Sequence, residues 1–66
     1  MESESILKWF AYEHLPPHLQ VVSAQCGTLA TWMLSNIEAG PERDVALRKL
    51  LEAKDAAVRA VVHPGE

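Results

Sequence analysis

Hydrophobic residues recur at helical spacing along most of the chain, and prolines cut the pattern into three runs. The first predicted helix spans Ser5 to Tyr12, where Ile6, Trp9 and Phe10 stand at i, i+3, i+4. Glu2 and Glu4 put negative charge where a helix N-terminus favours it. His14-Leu15-Pro16-Pro17 then interrupts the run. Pro16 has no N–H to donate and biases Leu15 toward an extended backbone, whereas Pro17 suits the first turn of a following helix. That second helix is predicted from about Pro17 to Glu38, with Leu19, Val22, Cys26, Leu29, Met33 and Ile37 forming its apolar stripe. Ala39-Gly40-Pro41 predicts a stop with Gly40 at the C-cap and a restart on Pro41. The third helix is predicted from about Pro41 to Val62, ended by His63-Pro64-Gly65, with Leu47, Leu50, Leu51, Val58, Val61 and Val62 as its stripe.

Asp44–Arg48, Arg48–Glu52 and Asp55–Arg59 are i, i+4 pairs on a solvated flank, each worth a few tenths of a kcal/mol. A connection as short as Glu38 to Pro41 makes the second and third helices an antiparallel hairpin. The expected fold is all-α: one helical domain over residues 1–66, with a short N-terminal helix ahead of a two-helix hairpin.

Size changes this picture. A chain of 66 residues buries only about 60% of the surface it exposes when unfolded, so alone it is marginal. Disulfides, a metal or self-association normally make up the deficit. Cys26 is the single cysteine, which excludes an internal disulfide and fits a reducing cytoplasm. His14, His18, Cys26 and His63 lack zinc-site spacing, so neither a metal nor another cofactor is expected. Self-association is the remaining route.

The middle helix supports it. From Leu15 to Ile37 there is no Asp, Glu, Lys or Arg. Beside the main stripe, Ser23, Gly27, Ala30 and Thr31 form a strip of small residues where another backbone can approach, and Val21, Thr28 and Trp32 lie roughly opposite. A monomeric hairpin cannot cover all three faces, so the expectation is a homo-oligomer. A membrane span fits the length, but His18, Gln20, Ser23, Gln25, Thr28, Thr31, Ser35 and Asn36 would then face lipid. The net charge of −3 argues against a long nucleic acid as partner, while leaving room for a small anion in a local pocket. No basic stretch precedes an apolar core at the N-terminus, so no secretory signal is expected.

Several residues can carry chemistry. Trp9, Phe10 and Tyr12 cluster beside Lys8 and a proline turn. They either cap the hairpin core, the reading preferred for Phe10, or present Trp9 and Tyr12 to stack on a nucleobase, a contact worth roughly 1–3 kcal/mol. Lys54 falls near the centre of the third stripe. It either snorkels or pairs with a carboxylate of a neighbouring chain, or it meets phosphate at a subunit junction. Arg59 lies on the polar flank, solvated unless a symmetry axis gathers several copies. Ser3, Ser5, Ser23 and Ser35 have no His–acid arrangement nearby, and Cys26 is on the core-facing stripe, so no enzyme is expected.

Two blocks of the chain resemble the small phage anti-CBASS proteins, which act as cyclic-nucleotide sponges against a bacterial defence that signals with cyclic oligonucleotides. The first is Ile6-Leu7-Lys8-Trp9-Phe10 with Tyr12-Glu13-His14-Leu15-Pro16-Pro17-His18-Leu19-Gln20. The second runs from Ala46 to Ala60. The resemblance implies a helical hexamer in the host cytoplasm that binds cyclic dinucleotides, such as cyclic GMP–AMP, between protomers without cleaving them, with cyclic trinucleotides at separate sites in some members. It implies that Tyr12 is the tyrosine that stacks on a base and Arg59 the arginine of the trinucleotide site. The family also places a lysine early in helix two, whereas this chain has none, the corresponding region being Ala24 to Thr28. Either the Gly27 amide and the Thr28 hydroxyl then meet the phosphate, or Lys8 or Lys54 of a neighbour supplies the charge. The alternative from the residues alone is a helical adaptor that binds a protein partner through Trp32 and Val21.

Overall fold

The computed structural model describes residues 3–13 and 15–65, and side chains from Ile6 onward. Glu2 and His14 lie outside the described residues, as do the side chains of Ser3, Glu4 and Ser5. The chain is all-helical, with a 3-10 helix η1 (Ser3–Phe10), then α1 (Pro17–Asn36) and α2 (Pro41–Val62). Both α-helices open on the expected prolines, which sit in the first turn where no N–H is needed.

Helices of 20 and 22 residues are roughly 30 and 33 Å long. The molecule measures 36 × 23 × 17 Å, so they lie side by side, and the short link from Ile37 to Gly40 makes them antiparallel. Helix η1 packs against both. The core is formed where the three meet: Ile6 and Phe10 of η1, Ala30 and Met33 of α1, and Leu47 of α2.

The first segment departs from expectation in its winding and its limits, being 3-10 and ending at Phe10 instead of Tyr12. The i→i+3 pattern continues one step further, with Ala11 N–H donating to the Lys8 carbonyl at 3.4 Å. Of its apolar residues, Ile6 and Phe10 turn inward, whereas Trp9 is 56% exposed.

The buried face of α1 is also displaced from its expected line. Leu19 and Met33 are buried and Cys26 is packed against the core, but Leu29 and Ile37 are exposed. The fully buried positions are instead Ser23 and Ala30, from the small-residue strip. Helix η1 lies on that strip, with the Phe10 carbonyl oxygen 3.5 Å from where a Cβ on Gly27 would stand. The close approach that small residues permit is thus used by the chain's own N-terminal segment. Along α2, Leu47 is buried, Leu50 and Leu51 pack on the core, and Val61 and Val62 are exposed at the far end.

The corner between the helices works differently from the glycine C-cap expected there. Helix α1 ends on Ile37 in an extended conformation, and Gly40, also extended, is the N-cap of α2. A left-handed glycine is unnecessary because Arg43 reaches back, its Nη1 donating to the carbonyl of Ile37 at 2.9 Å and of Leu34 at 3.5 Å. A cation there also meets the negative end of the helix dipole. Arg43 is buried, and its position one turn before Leu47 on the apolar stripe is the sequence signal for this role.

The accessible surface is 4626 Å², against roughly 4,200 Å² for a compact monomer of this mass. Part of the apolar exposure is on α1, where Val21 is 64% and Trp32 54% exposed, opposite the face that η1 covers. Among the described residues, no helix is long and apolar enough to cross a membrane.

Candidate functional site

The chain between η1 and α1 folds into a strap that is tied to the first turn of α1. The Leu15 N–H donates to the Tyr12 carbonyl at 3.0 Å, closing a turn. Gln20 then fastens this turn from the helix, its Nε2 donating to the carbonyl of Leu15 at 2.7 Å and of Glu13 at 3.4 Å. Because Pro16 and Pro17 fix the backbone on one side and Gln20 on the other, Tyr12 is held against α1 on a short tether.

Tyr12 lines an open cleft of about 460 Å³ together with Leu7, Phe10, Ala11, Glu13, Gly27, Thr28 and Thr31. That volume is within the range of small-molecule sites. Leu7 and Phe10 of η1, with Ala11 just after it, give the cleft apolar lining. One wall is the Gly27–Thr28–Thr31 surface of α1, and Tyr12 and Glu13 supply the other. Gly27 lies in the body of α1, where its N–H belongs to the helical ladder, so what it offers the cleft is the missing side chain. The hydroxyls of Thr28 and Thr31 are the polar groups of that wall. No Lys or Arg is among the described residues that line the cleft.

The structure therefore brings together three of the sequence-derived site residues, Tyr12, Gly27 and Thr28, and separates the other three. Trp9 stands outside the cleft, with Lys8 Nζ 5.4 Å from its ring centroid, a surface cation–π contact. Lys54 does sit on the α2 stripe, its side chain only 13% exposed, and Nζ pairs with Asp55 of the same chain at 2.8 Å. Asp55 was expected to pair along the helix with Arg59, but its immediate neighbour holds it. Arg59 is exposed and lines a second hollow of about 440 Å³ with Ala56, Ala60 and His63.

No family model, curated protein or solved structure matches the chain.

Glu13 is the cleft residue that sequence reasoning passed over. Its Oε2 accepts the Tyr12 N–H at 3.2 Å, which folds the carboxylate back beside the tyrosine. Its place immediately after the stacking candidate was the available signal. No group of three or more His, Cys, Asp and Glu among the described residues is placed to hold a metal ion.

Proposed function

We propose that this chain binds cyclic oligonucleotide second messengers and sequesters them uncleaved, in the manner of the phage anti-CBASS sponges that its sequence resembles. The observation that carries the reading is the convergence of Tyr12 with Gly27 and Thr28 in one cleft. Those residues come from separate parts of the chain, and they meet only because the proline strap returns Tyr12 to α1. A base slides between the phenol ring and the open surface at Gly27, and the Thr28 hydroxyl donates to a phosphate or sugar oxygen.

The cleft is also incomplete in a way that fits a shared site. It is open, and the cation that two phosphates require is absent from its described lining. Lys8, already at the surface beside Trp9, or Lys54 supplies it from a neighbouring copy. This assigns the exposed apolar face of α1, with Val21, Leu29 and Trp32, to homo-oligomer contacts, and a hexamer is the assembly the resemblance implies. Arg59 and its hollow serve the trinucleotide site in the same reading. The protein works in the host cytoplasm by mass action: it must bind more tightly than the effector and be abundant. Nanomolar affinity corresponds to about −12 kcal/mol, within reach of stacking plus several charge-assisted contacts.

Calorimetry with cyclic di- and trinucleotides tests this. Tyr12→Ala is expected to weaken cyclic-dinucleotide binding at least tenfold, and unchanged affinity removes the stacking role. Ligand recovered intact after incubation and denaturation supports sequestration, while its disappearance shows turnover. The exposed pair Val21 and Trp32 favours a second reading, a helical adaptor for a protein partner. Absence of any thermal shift with the nucleotides, which tight binding to the folded state would produce, favours the adaptor.

A further inference from the structure

We infer that Glu13 reads the base that enters the cleft, and that it selects guanine over adenine. This rests on the nucleotide-binding reading and adds to it the identity of the base.

A ligand with phosphates is an anion, yet the ionisable side chain lining the cleft beside Tyr12 is a carboxylate. Like charges repel, so the phosphates are kept away from Glu13. The ligand must enter with its base toward Tyr12 and Glu13 and its phosphates toward Thr28 and the open side. A carboxylate in this place opposes binding unless it accepts hydrogen bonds from the part of the ligand that faces it.

The donor pattern of the base then decides which ligand fits. An ionised carboxylate only accepts, through two oxygens with about four lone-pair sites. The Tyr12 N–H uses one site on Oε2, which leaves acceptor capacity on both oxygens. Guanine offers two adjacent donors on one edge, N1–H and the N2 amino group, and no acceptor between them. Adenine offers the N6 amino group next to N1, a lone pair that faces the carboxylate. A site built from acceptors therefore rewards guanine and penalises adenine, because the mismatched edge sets the N1 lone pair against a carboxylate oxygen. Cytosine, with one amino donor, falls between them.

Position supports the same assignment. Consecutive residues provide the stacking ring and the acceptor, and the Tyr12 N–H contact ties the carboxylate to the tyrosine's main chain. The Gln20 amide fixes the Glu13 carbonyl and the Leu15 carbonyl, so both side chains leave a backbone of defined course.

The test is calorimetry of the full chain and of Glu13→Gln with cyclic di-GMP and cyclic di-AMP. The parent chain is expected to bind cyclic di-GMP at least tenfold more tightly, the discrimination that one bidentate contact to a base edge supplies. Glutamine keeps an acceptor oxygen for the Tyr12 N–H but places an amide donor beside it, which clashes with N1–H of guanine and suits N1 of adenine. The ratio is expected to fall to about one or to invert, with cyclic di-AMP binding more tightly than to the parent, a gain that misfolding cannot produce. Equal affinity of the parent for the two ligands, or an unchanged ratio in Glu13→Gln, overturns the guanine assignment and leaves the sponge reading intact. If neither ligand binds the parent chain, the sponge reading and this inference both fall.

Discussion

The two sides of α1 are built from the same uncharged sequence and meet opposite fates. On one side, Ser23 and Ala30 are fully buried and Gly27 lies under Phe10, because helix η1 folds down onto small residues. On the other, Val21, Leu29 and Trp32 keep about half or more of their surface exposed. A chain this small has one short cover to place, and it places it where the backbones come closest. Close approach fills space at high density, whereas the bulkier side chains opposite would hold η1 off the helix. The larger apolar side chains stay exposed, and a second copy is the proposed occupant, since the helix between them carries no charge.

The sharpest way to break this contrast is to cut one large side chain on each side. Leu47→Ala removes the α2 residue at the centre of the self-made core and should cost about 2–5 kcal/mol, read as a lowered thermal midpoint at any protein concentration. For so small a domain that approaches the whole stability. Trp32→Ala should leave the dilute chain's helicity and midpoint nearly unchanged and act only by weakening association. Equal losses from the two substitutions would mean that the sides of α1 do not differ as described.

A smaller effect sharpens the comparison at Gly27. A Cβ there meets the Phe10 oxygen at 3.5 Å and the Phe10 Cβ at 3.9 Å, ordinary contact distances. Gly27→Ala should therefore gain about 0.5–1 kcal/mol of helix propensity and raise the midpoint by a few degrees. The methyl group also intrudes on the cleft wall, so the same variant should bind cyclic dinucleotide several-fold more weakly. Higher stability with lower affinity marks the glycine as a binding feature. Lower stability would show instead that η1 needs the space.

Much of the fold was legible because prolines and apolar spacing act locally. Pro17 and Pro41 open their helices as read, Val62 closes α2, and Phe10 and Leu47 enter the core. The role of Gly40 was misread because Arg43, in the first turn of α2, satisfies the carbonyls that a left-handed glycine would otherwise tie up. The α1 stripe was misplaced for a related reason. A helical wheel ranks residues by hydrophobicity, but the landing of a third element on Ser23 and Ala30 depends on shape. At the site, Tyr12, Gly27 and Thr28 line one cleft, while Trp9 is exposed and stands outside it. Glu13 escaped notice because a single acidic residue in a turn has no pattern, and only its contact with Tyr12 shows where it points.

The contrast between the covered and open sides of α1 stands or falls with the mass of the particle in solution. Light scattering of the purified chain at micromolar concentration should give a stable multiple of 7.3 kDa, six-fold for the hexamer. A mass of one chain across that range would contradict the account, removing the copies proposed to cover Val21, Leu29 and Trp32 and to complete the cleft.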